Sequence, residues 1–471
     1  MRCTRAALLG ATGVLLLAGC QHIPPHPLDF NETETSLRDR DIGIEPVRAF
    51  ADALASADRG PAGPFDTSNG LSLAEGQAVA LWFNPDLRIA RLHAQQALAV
   101  AEASGRWSDP ELGGEWGRKS VDASEQGFLH DAGSTARDWI RAGSLSITIP
   151  LSGRPQAERR LWASLHDAAA WQAAEAEWET LAQVETAWVR WSASTERVNL
   201  LEEHLTVLDE FTDAAAALAR AGEVMPSNAR LLEIERLRRK SELANAAAET
   251  AQSHAALLGL LGLLPDAPVV LNSQLSVLAP EDDAFEPKAH PALQRLEAGY
   301  RAAEDRLRLE LRKQYPDITL SPAYADEEDE TSLRVGLGIP LPVWNANRQG
   351  IAEALAGREI ARAQAEAGYQ QLISEEAQAR AALRGSRDRR GMIENDIIPV
   401  VDAQLRESLA LLQAGELDLI VLHEALAQAL AVKEELLEAA LGEAEASARL
   451  TAATARGMVM HTSTESTDDH E

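Results

Sequence analysis

Leu145-Ser146-Ile147-Thr148-Ile149-Pro150-Leu151 returns later in the chain as Val335-Gly336-Leu337-Gly338-Ile339-Pro340-Leu341. In both copies large apolar residues alternate with small or polar ones, the period-2 pattern of a strand with two unlike faces. Other landmarks recur around this pair. Asn84-Pro85-Asp86-Leu87 is echoed by His290-Pro291-Ala292-Leu293, and Asp109-Pro110-Glu111-Leu112 by Tyr315-Pro316-Asp317-Ile318. These two pairs share an offset of 206 residues (85 to 291 and 110 to 316). The strand motifs are 190 apart (150 to 340), so the first copy carries extra residues just before its second strand. Ala221-Gly222-Glu223-Val224 then matches Ala414-Gly415-Glu416-Leu417, 193 residues on (222 to 415). Four landmarks in one order identify a tandem duplication. Repeat 1 covers 70–263 and repeat 2 covers 291–455. Residues 264–290, with Pro265, Pro268, Pro280 and Pro287, read as the connector.

Each copy predicts the same series of elements. A helix opens at the first proline, a favoured first helical residue, and runs to near Trp107 or Arg312. Just upstream in copy one, Ser72 and Glu75 have capping-box spacing. Strand hairpins follow at 111–151 and 317–342. Long helices are expected over 154–219 and 347–412. In the first of these, Leu201, Leu208 and Ala215 repeat every seven residues, as do Phe211 and Leu218, which marks a coiled-coil seam. His204 falls on that seam and reads as a packed interface residue, not a ligand. Each long helix ends at a glycine, and a return helix covers 226–263 or 418–455. At 1.5 Å per residue the long helix is roughly 100 Å, the return helix roughly 57 Å and the opening helix roughly 35 Å. The two short helices stacked end to end therefore nearly match the long one.

The ends and the composition set further bounds. Arg2 and Arg5 precede a short apolar run from Ala6 to Gly19, the layout of a secretory signal peptide over 1–19. Leu17-Ala18-Gly19-Cys20 is similar to a bacterial lipobox, which implies a diacylglycerol on Cys20 and, with Gln21 following it, outer-membrane sorting. Residues 20–69 read as a lipidated linker and 456–471 as a disordered polar tail. Cys3 would be removed, which leaves no thiol for a disulfide. The formal net charge is −29, and loss of Arg2 and Arg5 takes it to −31. So acidic a chain is unsuited to nucleic acid, which needs a basic footprint. The charge fits solvated Glu-rich helix faces, adaptation to a salty habitat, or a duct that attracts cations. No apolar run after Cys20 is long enough for a membrane helix, so any crossing must use strands.

Four strands per chain have a consequence. In lipid an unpaired backbone group costs several kcal/mol, so a membrane sheet cannot leave open edges. The smallest barrels have about eight strands, so four must pool with those of other subunits. Lipid would meet the Leu/Ile/Val face and water the Ser/Thr/Gly face. Trp116, Trp139, Tyr324 and Trp344 flank the strands as a candidate aromatic girdle. The polar loop at 118–138 and the acidic run Asp326-Glu327-Glu328-Asp329-Glu330 suit exposed hairpin tips. The expected fold is mainly α with a small β part. It comprises a long coiled-coil α-helical barrel plus a transmembrane β-barrel shared between subunits, with two tandem repeats and four strands per chain.

The run Val335–Arg348, with Pro342-Val343-Trp344-Asn345-Ala346-Asn347 at its turn and Gly350-Ile351-Ala352-Glu353-Ala354 after it, resembles the TolC-like outer-membrane factors. It is most similar to their lipoprotein branch serving heavy-metal efflux. The resemblance covers residues 70–455 and implies a homotrimer with a twelve-stranded barrel. It further implies a lipid-anchored duct reaching from the outer membrane into the periplasm, docked on a periplasmic adaptor and an inner-membrane pump. By the same resemblance Ala221, Gly222, Glu223 and Val224, with Ala414, Gly415, Glu416 and Leu417, are adaptor-contact tips. Family members close the duct with a Tyr three before the second-turn glycine, an Arg two after, and Asp six and nine after. Here those positions hold Leu412, Leu417, Val421 and Glu424, so the polar lock is largely absent. Leu412 and Leu417 can seal by apolar contact, with Glu424 and Asp418 as an acidic ring, and an ordinary solvated carboxylate explains Glu424 equally well.

No P-loop, G-x-S-x-G, H-E-x-x-H or C-x-x-C motif is present, and the eleven histidines are scattered, so no enzyme, cofactor or metal site is expected. Two other readings stay open: a drug or protein export duct of the same build, and a non-conducting periplasmic coiled-coil lipoprotein.

Overall fold

The computed structural model of the chain describes residues 23–56, 65–120, 137–275, 285–327, 330–413 and 419–455. The chain forms two compact units, residues 1–41 and 42–471. The described part of the first holds one helix, α1 (Phe30–Arg38). Its N-terminus is capped by the Asp29 carboxylate, which accepts from the Asn31 N–H at 2.8 Å.

In the second unit the duplication is plain. After α2 (Glu45–Ser56) and α3 (Leu73–Phe83), repeat 1 runs α4 (Pro85–Ala103), β1 (Glu111–Ser120), β2 (Arg137–Ile149), α5 (Arg154–Ala221) and α6 (Pro226–Leu260). Repeat 2 runs α7 (Pro291–Arg312), β3 (Ile318–Glu327), β4 (Glu330–Gly338), α8 (Arg348–Met392), α9 (Ile398–Gln413) and α10 (Leu419–Thr454). The four strands make one antiparallel sheet in the order β1-β2-β3-β4. The β2–β3 pairing stitches the two repeats together.

The caps follow the sequence. Ser72 and Glu75 form the capping box on α3: the Ser72 Oγ accepts from the Glu75 N–H, and the Glu75 carboxylate accepts from the Ser72 N–H at 2.8 Å. Asn84 and His290 are the corresponding caps of α4 and α7. Asn84 Oδ1 accepts from the N–H groups of Asp86 and Leu87, both at 3.0 Å. His290 Nδ1 accepts from the Ala292 N–H at 3.2 Å. Each cap also clips the end of its return helix. Asn84 Nδ2 donates to the Leu260 carbonyl at 2.9 Å, and His290 Nε2 lies 3.1 Å from the Ala452 carbonyl. One side chain thus satisfies orphan groups at two helix ends in both repeats, despite different chemistry.

This histidine predicts an acid sensitivity. Accepting at Nδ1 and donating at Nε2 requires the neutral imidazole, and burial holds its pKa below the usual value. A folded pKa below the unfolded 6.5 gives stability that is present above 6.5 and lost as pH falls toward the folded value. His290→Asn, the residue used by repeat 1, should therefore show a smaller drop in melting temperature between pH 7 and 5 than the wild type. Coincident pH profiles would refute the assignment.

Long α5 has 68 residues, roughly 100 Å. Its counterpart is not one regular helix. Between α8 and α9 the residues Ile393–Ile397 form a π turn, in which the Ile398 N–H reaches the Ile393 carbonyl. Pro399 lies just beyond. It has no N–H and its ring crowds the carbonyl four residues back, so the wider turn relieves a conflict that a straight α-helix would contain. The expected uninterrupted helix over 347–412 is corrected accordingly. Pro155, in contrast, sits harmlessly in the first turn of α5. The opening helix of copy one also stops earlier than expected, at Ala103.

Two segments expected as linkers contribute to the core. Val47 and Ala51 on α2, Phe65, and Leu271 from the connector join Leu71, Val79, Val184, Trp188, Leu257 and Leu261 in the largest apolar cluster. Leu71 and Leu271 also form a parallel β-bridge. The coiled-coil seam is as read from the sequence. Leu208 and Ala215 pack with Leu232, Leu419, Leu422 and Leu426, while Leu201 packs with Ala246 and Leu430. Between these apolar layers lies a charged one. Arg197 and Arg239 reach Glu242 at 3.2 and 2.7 Å, and Arg239 reaches Glu235 at 2.8 Å. His204 sits in this layer half-buried, its pKa pulled down to about 4 by burial and then by Arg239. It is a neutral packed histidine, as expected.

Candidate functional site: the sheet and the helix-hairpin tips

The register separates the sheet into two unlike faces. Leu112 and Trp116 on β1 lie beside Trp139, Leu145, Ile147 and Ile149 on β2. Ile318, Leu320 and Tyr324 on β3 continue that face, followed by Leu333, Val335 and Leu337 on β4. Leu333 is 80% exposed and Val335 and Leu337 are each 66% exposed, so this apolar surface has no cover within the chain. The opposite face carries Gly113, Gly117, Ser144, Ser146, Thr148, Thr319, Ser321, Ala323, Ser332 and Gly336. Its hydroxyls pair across strands, Ser146 with Ser321 at 3.0 Å and Thr148 with Thr319 at 3.4 Å. A surface 66–80% exposed and made of Leu, Val and Trp is costly in water and favourable in lipid.

Of the aromatic residues singled out, the sheet brings three together on the apolar face. Trp116 and Trp139 stack with ring centroids 5.4 Å apart, and Tyr324 lies on the neighbouring strand. Trp344 stands apart in the turn after β4, 90% exposed. β1 and β4 are both edge strands, each with one row of backbone groups unpaired within the chain.

At the far end of the first helical hairpin, α5 stops at Gly222, whose φ of +81° is the left-handed conformation that glycine adopts freely. The Gly222 N–H donates to the Ala219 carbonyl at 3.2 Å and the Glu223 N–H to the Leu218 carbonyl at 3.0 Å. That is the Schellman ending. Ala221, Gly222 and Glu223 are exposed, while Val224 tucks against the Leu208–Leu422 cluster. Apart from the adjoining backbone, no atom lies within 4 Å of where a Gly222 side chain would begin, so the turn is surrounded by open space. Its counterpart, Ala414, Gly415, Glu416 and Leu417, lies outside the described residues together with Asp418, the Leu412 side chain and Cys20. Glu424 is described: it is exposed on α10, and its Oε1 accepts from Gln428 Nε2 at 2.9 Å. Among the described residues no group of three or more His, Cys, Asp or Glu is arranged to hold a metal, and no helix is long and apolar enough to cross a membrane.

Residues 79–263, which hold α4, β1, β2, α5 and α6, match the outer membrane efflux protein family. Over that span, about two-fifths of its length, the chain is similar to the TolC-like outer membrane efflux proteins. Its fold is shared with several solved channels at low identity. CusC, whose structures concern folding and transmembrane channel formation, aligns with TM-score 0.68 and 18% identity, over 83% of this chain and 93% of its own. The open-state MtrE outer membrane channel of Neisseria gonorrhoeae gives 0.67 and 18%, over 82% and 89%. The CmeC outer membrane channel of Campylobacter jejuni gives 0.69 and 14%, over 93% and 94%. No curated protein matches the sequence.

Sequence reasoning missed the two clipping caps and the π turn. The Asn-Pro and His-Pro pairs were visible as landmarks, and a polar residue just before an N1 proline was the available signal for a cap.

Proposed function

We propose that three copies of this chain pool their sheets into one twelve-stranded barrel, continued by a tube of helices that forms an export duct. The observation that carries this reading is the four-stranded sheet with one apolar face, one small polar face and two open edges. Edge strands β1 and β4 complete each other between neighbours, which removes every open edge from the lipid. Cys20 carries a lipid anchor in the outer membrane, a reading supported by its lipobox.

The helical hairpin ends dock on a periplasmic adaptor serving an inner-membrane pump. The exposed Schellman turn at Gly222, with room around it, supports this contact. Leu412 and Leu417 seal the narrow end, with Glu424 and Asp418 as an acidic ring. The cargo is small solutes, and the acidic chain suits heavy-metal cations among them. A deletion strain sensitive to zinc, cobalt, cadmium or copper but not to drugs would support the cation reading; the reverse pattern would replace it.

Gly222→Trp together with Gly415→Trp tests the docking. At Gly222 the strain from positive φ is about 1 kcal/mol, too little to unfold the protein. Trimers should persist on native gels while efflux is abolished. Normal efflux from the double variant would exclude the tips as the docking site.

A further inference from the structure

Trp116, Arg118, Trp139 and Arg141 form a checkerboard on the apolar face. The register sets Trp116 opposite Arg141 and Arg118 opposite Trp139. The two indoles stack across one diagonal, 17° from parallel. The arginines occupy the other diagonal, where neighbours of this kind lie about 7–8 Å apart. The Arg118 guanidinium stands over the Trp139 ring, 5.5 Å from its centroid. From β3, Asp326 is the backbone partner of Arg141, so the patch holds two guanidinium groups against one carboxylate. Among the described residues neither arginine is ion-paired. In a chain of net charge −29, these cations point the same way as Leu112, Leu145 and Tyr324.

We propose that this checkerboard binds the phosphate of an anionic lipid in the outer leaflet. The inference rests on the membrane reading of the sheet above. The strands begin at the helices and end at the hairpin tips, so this patch lies at the outward end of the apolar band, where hydrocarbon gives way to headgroups. An arginine on a lipid-facing strand costs about 2–4 kcal/mol at the bilayer midplane but only about 0–1 near the interface. There each guanidinium can offer two parallel N–H donors to phosphate oxygens, a geometry that a lysine cannot match. Stacking on Trp139 holds Arg118 in place before the lipid arrives. The apolar side chains beside the arginines select the source of the phosphate. A ligand settling there must cover Leu112, Leu145 and the indoles, which acyl chains do and a free ion does not.

Purified full-length trimers would be placed in phosphatidylcholine bilayers with and without bisphosphorylated lipid A, then examined by native mass spectrometry for retained lipid. Wild type should retain lipid A. Arg118→Gln with Arg141→Gln should weaken retention at least about tenfold, the loss expected when charge-assisted hydrogen bonds are removed. Arg334→Gln, on the opposite face of β4, should behave as wild type. Equal retention by the double variant would overturn the proposal, as would displacement of lipid A by inorganic phosphate. A separate reading protects the distinction from the membrane assignment: brominated phosphatidylcholine should quench Trp116 and Trp139 fluorescence. Quenching without lipid A retention sinks this proposal alone, whereas absent quenching sinks the membrane reading beneath it.

Discussion

Val335→Lys together with Leu337→Lys should remove the protein from the outer membrane. Both side chains sit on the apolar face of β4, each 66% exposed, with no partner inside the chain. A lysine facing lipid near the bilayer midplane costs about 2–4 kcal/mol. Two per chain cost about 4–8 kcal/mol, a large share of the stability of a typical folded domain, which is about 5–15 kcal/mol. The variant should be depleted from the outer-membrane fraction and confer no efflux. Ser332→Lys is the matched control. It adds the same charge on the same strand, but on the face that carries Ser144, Ser146 and Thr319 and is turned to water. That variant should insert normally. Normal insertion of the double lysine variant, or equal failure of the control, would show that the two faces are wrongly assigned.

Trp188→Ala should be the most destabilising single change in the helical part. Trp188 is fully buried, and its indole N–H donates to the Asn272 carbonyl at 3.1 Å. The ring lies so close to Gly76 that a side-chain carbon there would fall 2.5 Å from it. It makes an edge-to-face contact with Trp191, centroids 5.9 Å apart. This one residue therefore joins α5, α3 and the connector. Truncation of a buried tryptophan costs about 3–5 kcal/mol through lost burial and the cavity left behind. It also removes the hydrogen bond by which the indole ties the Asn272 carbonyl of the connector to α5. Trp188→Phe should lose less, because most of the volume remains. Thermal melting of the purified protein would rank the three; a Trp188→Ala variant melting with the wild type would contradict the packing.

What could be read in the chain depended on whether the signal was periodic. The Leu145–Leu151 and Val335–Leu341 motifs repeat every second residue and were legible as strands with assigned faces. The Leu201, Leu208, Ala215 seam repeats every seven and was legible as a packed helix. Gly222 announced its helix end because only that residue relaxes at positive φ. Interactions set by a single residue against a distant one were not legible. Nothing near His290 signals that its ring would clip the Ala452 carbonyl, 162 positions away. Pro399 was overlooked when 347–412 was read as one uninterrupted helix, and its resolution into a π turn at Ile393–Ile397 depends on how α8 and α9 pack. Val47 and Ala51 share one helical face at i and i+4, yet they sit in a stretch whose polar, Gly- and Pro-containing surroundings read as linker. The tips and the gate divide on the same lines. Gly222 was legible as a helix end from its own backbone chemistry, while the gate proposed for Leu412, Leu417, Asp418 and Glu424 would need neighbours from other copies of the chain.

The central claim is that pooled sheets and helices enclose a continuous water-filled path. Single-channel recording of purified trimers in planar bilayers tests it most directly. The account predicts stepwise conductance from wild type and none from the Val335→Lys, Leu337→Lys variant, which cannot insert. Wild-type trimers that insert, as reported by quenching from brominated lipid, yet pass no current under any applied voltage would contradict it.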